Sequence, residues 1–258
     1  MPKALPKMLH PLRLALLAGV AALALSACAT NRPGTSVSAD GPATTRAQAA
    51  LADASARYKK NPHDKATIIY FAGGLRAAGQ AEQAVAVLES GITVFPSDLE
   101  IRIAYAKALT AAGRFQQAMN VIEDAIDPAA PDWNALLVKG AVLDQMGRNK
   151  DARTIYAQAL VIAPTQAALE ANIGLSYAMS NDLANAELHL RKAVAMPGAS
   201  SQVRQNLALV IGLQGRFDEA RAMLAAELPP DQVEANMAYI RSLLTQQDRW
   251  AQIKGANG

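Results

Sequence analysis

The 258 residues are enough for one or two domains, and 51% hydrophobic content with 5% aromatic content suits stacked helices better than a β-fold. The net charge of +3 comes from Lys3, Lys7 and Arg13, which precede residue 28 with no acidic residue beside them; removing them leaves 25 − 3 = 22 basic against 22 acidic residues, so no basic face for nucleic acid remains by count. Cys28 is the single cysteine, which excludes an intramolecular disulfide.

Residues 1–27 read as a leader. The cations at positions 3, 7 and 13 make a positive n-region, and Leu14–Leu25 is an uncharged apolar run. It falls short of the roughly 20 residues that a helix needs to span a bilayer. It ends in Leu25-Ser26-Ala27-Cys28, which resembles the bacterial lipobox. That resemblance implies acylation of Cys28 and cleavage before it. Several acyl chains would make the anchoring stable, where one alone is marginal. The alternative is an ordinary signal peptide cut near Ala27 or Ala29, but the only cysteine falls at the one place lipidation requires. Ala29, in place of an Asp that retains many enterobacterial lipoproteins in the inner membrane, favours the outer membrane.

Residues 28–45 are rich in Ser, Thr, Gly and Pro without apolar period and read as a flexible tether with a mean reach on the order of 20–25 Å. Residues 46–62 return to a helical pattern, stopped by Asn61-Pro62. Pro62 lies 96 − 62 = 34 residues before Pro96, so this segment reads as the second helix of a degenerate opening repeat that caps the N-terminus.

Residues 63–231 carry the period. Gly79, Gly113, Gly147, Asn181 and Gly215 recur at 113 − 79 = 147 − 113 = 181 − 147 = 215 − 181 = 34, and Ala84, Ala118, Ala152, Ala186 and Ala220 follow at the same offset. This is the signature of an all-α tetratricopeptide (TPR) repeat solenoid with five repeats, at about 65–98, 99–132, 133–166, 167–200 and 201–231. Each unit is two antiparallel helices. The turn between them needs positive φ, hence Gly or Asn. Their contact needs small residues: Ala72, Ala106, Gly140, Gly174 and Ala208 on the first helix, and the Ala84 to Ala220 series on the second. Leu75, Leu109, Leu143, Tyr177 and Ile211 fill the next layer, and Pro96, Pro131, Pro164 and Pro197 close successive units. The second repeat ends irregularly in Asp127-Pro128-Ala-Ala-Pro131, and Trp133 is expected to wedge that junction. Residues 232–254 read as a C-terminal capping helix with Asp231 as its N-cap and Trp250 packing back onto it.

No HExxH, paired CxxC, GxSxG or phosphate loop occurs. Gly73-Gly74 lies inside a helix; the three histidines are far apart, with His10 in the leader and His63 and His189 read as surface or helix-side residues. The expectation is a chain that is not an enzyme and uses no metal or cofactor. The first helices of the repeats should line a concave groove for a protein partner, at Ile69 and Arg76, Ile103 and Lys107, Leu137, Leu175 and Met179, and Leu209. That surface reads as mixed and apolar rather than as a charged clamp. Asn172 and Asn206, 206 − 172 = 34 apart, with Asn236 out of register, could form a ladder that bonds a peptide backbone; solvated Asn, or Asn bonding between neighbouring helices, is the alternative.

The lipobox, the tether, the five repeats and the ending Gln205-Asn-Leu-Ala-Leu-Val-Ile-Gly-Leu-Gln-Gly-Arg-Phe, Leu228-Pro-Pro230 and Ala235-Asn-Met-Ala-Tyr-Ile-Arg-Ser-Leu-Leu244 resemble the TadD family, the TPR lipoproteins of the tight-adherence (Flp) pilus assembly system. The resemblance implies an outer-membrane, lipid-anchored adaptor on the periplasmic face, pilotin-like toward the pilus secretin. A TPR lipoprotein scaffold for peptidoglycan enzymes is the alternative.

Overall fold

A computed structural model describes residues 42–256. Twelve helices and no strand occur among them. They are α1 (Pro42–Lys60), α2 (Lys65–Ala77), α3 (Ala81–Val94), α4 (Leu99–Ala111), α5 (Phe115–Ala125), α6 (Trp133–Gln145), α7 (Asn149–Ile162), α8 (Ala167–Met179), α9 (Leu183–Ala195), α10 (Ser201–Leu213), α11 (Phe217–Ala225) and α12 (Pro230–Ala256). The lipobox and Cys28 lie outside the described residues, as does the side chain of Trp250.

The turns form as the period requires. Gly79, Gly113, Gly147 and Gly215 have φ of 74°, 77°, 76° and 83°, and Asn181 is the one described non-glycine with positive φ, at 62°. The residue after each turn donates its N–H back over the helix end: Gln80 to Leu75, Arg114 to Leu109, Arg148 to Leu143, Asp182 to Tyr177 and Arg216 to Ile211, at 2.8–3.2 Å. This Schellman closure satisfies carbonyls that the helix leaves unpaired. The small residues are buried as expected. Ala84, Ala118, Ala152, Ala186 and Ala220 are all 0% exposed, and Ala106 and Ala208 match them. At Gly174 a Cβ would stand 2.7 Å from Leu190 Cγ and 3.0 Å from the Ala186 carbonyl oxygen, so even alanine is too large there.

The helix starts carry a second series with the same period. Asp64, Asp98 and Asp132 each cap the following helix, accepting from the N–H groups of Thr67 (2.8 Å), Ile101 (3.0 Å) and Asn134 with Ala135 (2.9 Å). The register continues to Gln166 and Ser200, where no side-chain cap bond forms. The sequence reading missed this series, although 98 − 64 = 132 − 98 = 34 announces it.

The chain divides into two compact units between Arg148 and Asn149, within the third repeat of what the sequence presents as one array. In the first unit α1 packs on α2, with the Tyr58 and Phe71 rings stacked at 5.1 Å. The helix starts at Pro42 rather than at Arg46. At the irregular end of the second repeat, Asp127 accepts from the Ala129 N–H at 2.8 Å, and Arg102 donates to the Pro96 and Asp124 carbonyls. Trp133 opens α6 and is half-buried.

In the second unit α12 covers α10 and α11 with Val233, Met237, Ile240 and Leu243. Its start corrects the expectation for Asp231. The Val233 N–H bonds the Pro229 carbonyl at 3.0 Å, which places Pro230 at the first helical position and Asp231 within the first turn. Proline suits that position because its missing N–H would be unpaired anyway.

Candidate peptide-binding groove

The first unit contains a cavity of about 530 Å³ lined by α2, α3, α4 and the start of α6. Its walls follow helical spacing. Ala66, Ile69, Tyr70, Gly73 and Arg76 share one face of α2; Glu100, Ile103, Ala104, Lys107 and Ala108 share one face of α4; Ala72, Leu88 and Asn134 complete it. Most α4 positions lie 34 after an α2 position: 103 − 69, 104 − 70 and 107 − 73. The repeat therefore builds the groove from two copies of one helix face.

Of the groove residues read from sequence, Ile69, Arg76, Ile103 and Lys107 are brought together here. Ile103 is only 5% exposed and forms floor rather than wall. Leu137, on α6, is half-buried and does not line this cavity. Asn172, Leu175, Met179 and Asn206 belong to the second unit and are half-buried. Leu209 is a correction: it is 3% exposed, inside a buried run from Leu207 to Gly212, because α10 is packed by α9, α11 and α12.

The asparagine series is tied to its own helices. Asn172 Nδ2 donates to the Ala168 carbonyl and Asn236 Nδ2 to the Gln232 carbonyl, both at 2.8 Å, one turn back. Asn206 Oδ1 accepts from Gln202 Nε2 at 3.1 Å. Bonds between neighbouring helices, the alternative raised from sequence, are not what these three side chains make. Asn172 and Asn236 keep Oδ1, and Asn206 keeps Nδ2, beyond these bonds.

The cavity carries more positive charge than the sequence reading allowed. Lys107 and Arg76 both face it. Burial is the largest cause that pulls the Lys107 ammonium below its usual range; the Arg76 charge adds to the depression and Asp132 partly offsets it. Arg76 is exposed by residue area, yet its guanidinium is desolvated enough to be held below its ordinary range. Lys107 Nζ donates to Asn134 Oδ1 at 3.3 Å, which orients it. Glu100 is the one acidic lining residue and is committed to Lys65 at 2.7 Å; Lys65 also holds Asp98 at 3.0 Å.

The second unit holds a different polar cluster. His189 Nδ1 lies 2.6 Å from Glu170 Oε2, and its ring stacks on Tyr177 at 5.4 Å. Arg153 covers the Tyr177 ring at 4.3 Å and donates to the Ser176 carbonyl at 3.1 Å. His189 is thus a half-buried helix-side residue with a packed partner. Nothing in the one-letter sequence at position 189 announces that partner. Among the described residues no group of three His, Cys, Asp or Glu could hold a metal, and no helix is long and apolar enough to cross a membrane.

Comparison with known proteins agrees with this architecture. A family model described as tetratricopeptide repeat matches residues 75–139. TTC0263, a thermophilic TPR protein of Thermus thermophilus, is 21% identical with a TM-score of 0.61, over 69% of this chain and 98% of that one. Human IFIT1, solved as a dimer with PPP-AAAA, is 16% identical with a TM-score of 0.56, over 70% of this chain. The Cut9–Hcn1 hetero-tetramer of APC/C is 15% identical with a TM-score of 0.58, over 87% of this chain. The chain spans less than half of these last two, 45% and 41%. No curated protein matches it. Repeats of this class work by presenting concave surfaces to other molecules. The fold of this chain is the tetratricopeptide repeat fold.

Proposed function

We propose that the chain is a non-enzymatic protein-interaction scaffold whose α2–α4–α6 groove receives an extended segment of a partner protein. The observation that carries this reading is the cavity itself. Two isoleucines and two cations line it from the first helices of successive repeats, α2 and α4, with no acid–base or nucleophile arrangement among them. Rigid helices hold that face in place without any cost of ordering the receptor on binding.

The finer reading rests on the resemblance of the lipobox and the C-terminal phrase to the TadD family. It makes the chain a Cys28-anchored outer-membrane adaptor of tight-adherence pilus assembly, pilotin-like toward the secretin. Affinity capture from the native membrane with the full-length chain tests it. Co-purification of the secretin, with loss of outer-membrane secretin in Cys28→Ala, is the expected result. Normal pili and normally placed secretin in that variant would overturn the lipid-dependent role, and capture of peptidoglycan hydrolases or synthases in its place would redirect the function to the cell wall. Ile69→Asp in the same capture tests the groove, since a charge on the wall should release the partner.

A further inference from the structure

We propose that the α2–α4–α6 groove selects an acidic residue of its partner: a Glu or Asp side chain within an extended segment, held between Arg76 and Lys107, with a large apolar residue of the same segment seated on Ile69 and Ile103. This rests on the groove being the partner site and adds the chemistry that it selects.

The charge count argues for an anion. The lining holds two cations and one anion, and the anion, Glu100, already faces Lys65 at 2.7 Å. Asp132 is the acid beyond the lining that acts on Lys107, and its Oδ1 is occupied by the Asn134 and Ala135 amides as the cap of α6. Arg76 and Lys107 thus line one cavity with no carboxylate among the described residues in salt-bridge contact with either, and Asp132 only partly offsets the charge on Lys107. Burial raises the cost of both charges, and for Lys107 the Arg76 charge adds to it. A carboxylate entering from a partner relieves both penalties at once, and it can accept from the planar guanidinium and the ammonium together. Surface cations without desolvation would offer far less.

The spacing argues for the apolar neighbour. Ile69 and Arg76 are separated by seven residues of α2, or about 10 Å along the helix axis. An extended peptide covers that in about three residues. The partner segment should thus carry Glu or Asp two or three residues from Leu, Ile or Phe. An internal side chain is the occupant we assign, since a segment that continues past both subsites can use the apolar and the charged end of the furrow together.

The test uses the full-length chain in detergent and fluorescein-labelled decapeptides, N-acetylated and C-amidated so that no terminal carboxylate exists. One carries Leu and Glu three residues apart; its partner has Gln in place of Glu. Binding is read by fluorescence anisotropy, with thermal melts of every variant as a folding control. The expected result is about tenfold tighter binding of the Glu peptide, a difference of the size of one charge-assisted contact. That preference should shrink with added salt and vanish in Arg76→Gln and in Lys107→Met. Equal affinity for the two peptides overturns the inference, as does a preference that survives both substitutions. If the two peptides bind equally and Ile69→Asp releases both, the groove stands and its acid selectivity falls. If neither binds, the selectivity falls, and release of the captured partner by Ile69→Asp decides the groove separately.

Discussion

His189 and Glu170 face each other at 2.6 Å across α9 and α8, with side chains 19% and 11% exposed. A pair so removed from water is expensive to break from one side. His189→Ala leaves the Glu170 carboxyl desolvated and unpartnered, and Glu170→Ala leaves the imidazole so. Each should destabilise the second unit by about 2–4 kcal/mol, whereas the His189→Ala and Glu170→Ala double variant should cost less than the sum. Urea denaturation of the two single variants and the double variant gives the coupling; additive losses would show that the contact contributes nothing.

Gly174 and Gly73 make opposite predictions from the same substitution. Gly174→Ala drives a methyl group to 2.7 Å from Leu190 and should cost about 1–3 kcal/mol. Gly73→Ala meets nothing within 4 Å in the interior of α2 and should stabilise by roughly 0.5–1 kcal/mol through helix propensity. Thermal melts of the two variants should move in opposite directions.

Asn181 holds a left-handed turn at φ 62° where the other repeats use Gly. Asn181→Gly should leave stability nearly unchanged, and Asn181→Val should lose about 1–2 kcal/mol, because a branched Cβ crowds the following carbonyl in this conformation. Equal stability of the two would mean that the turn relaxes to negative φ.

Lys107 opposes folding where it supports binding. Its pKa is lowered in the folded chain, first by burial and then by Arg76. The unfolded chain therefore holds the proton more firmly, and stability should rise as pH climbs from the folded pKa toward the ordinary 10.5. Lys107→Met removes the buried like charge and should raise the neutral-pH melting temperature while weakening the partner. A fall in melting temperature, or a pH dependence above neutrality unchanged by the substitution, would count against this account.

Asp98 and Glu187 contribute to the acid limb. Desolvation pushes each upward, but it is outweighed: for Asp98 by the Ile101 amide and Lys65, for Glu187 by Arg216, Arg191 and Gln214. Both end below their ordinary 3.8 and 4.5. The stability they contribute is complete above those values and is lost as pH falls through the lower folded ones. Asp98→Ala should cost about 1 kcal/mol as a lost cap, with the loss shrinking in acid. Denaturant midpoints between neutral pH and strong acid give the curve.

The turns, the packing alanines and the number of repeats were determined by the sequence itself. Each answers a demand local to one backbone position: positive φ at Gly79 and its equivalents, no room beyond a methyl at Ala84 and its equivalents. Such demands recur at a fixed period because every repeat poses the same steric problem, and even the unnoticed Asp64, Asp98 and Asp132 caps obey it. Only the tertiary structure decided that Arg76 and Lys107 are desolvated in the groove they share, that Asn172 and Asn236 each donate to their own helix, and that His189 has Glu170 for a partner. Those outcomes depend on which side chains removed in sequence exclude water from one another. Distance and burial carry that information, and a one-dimensional period does not.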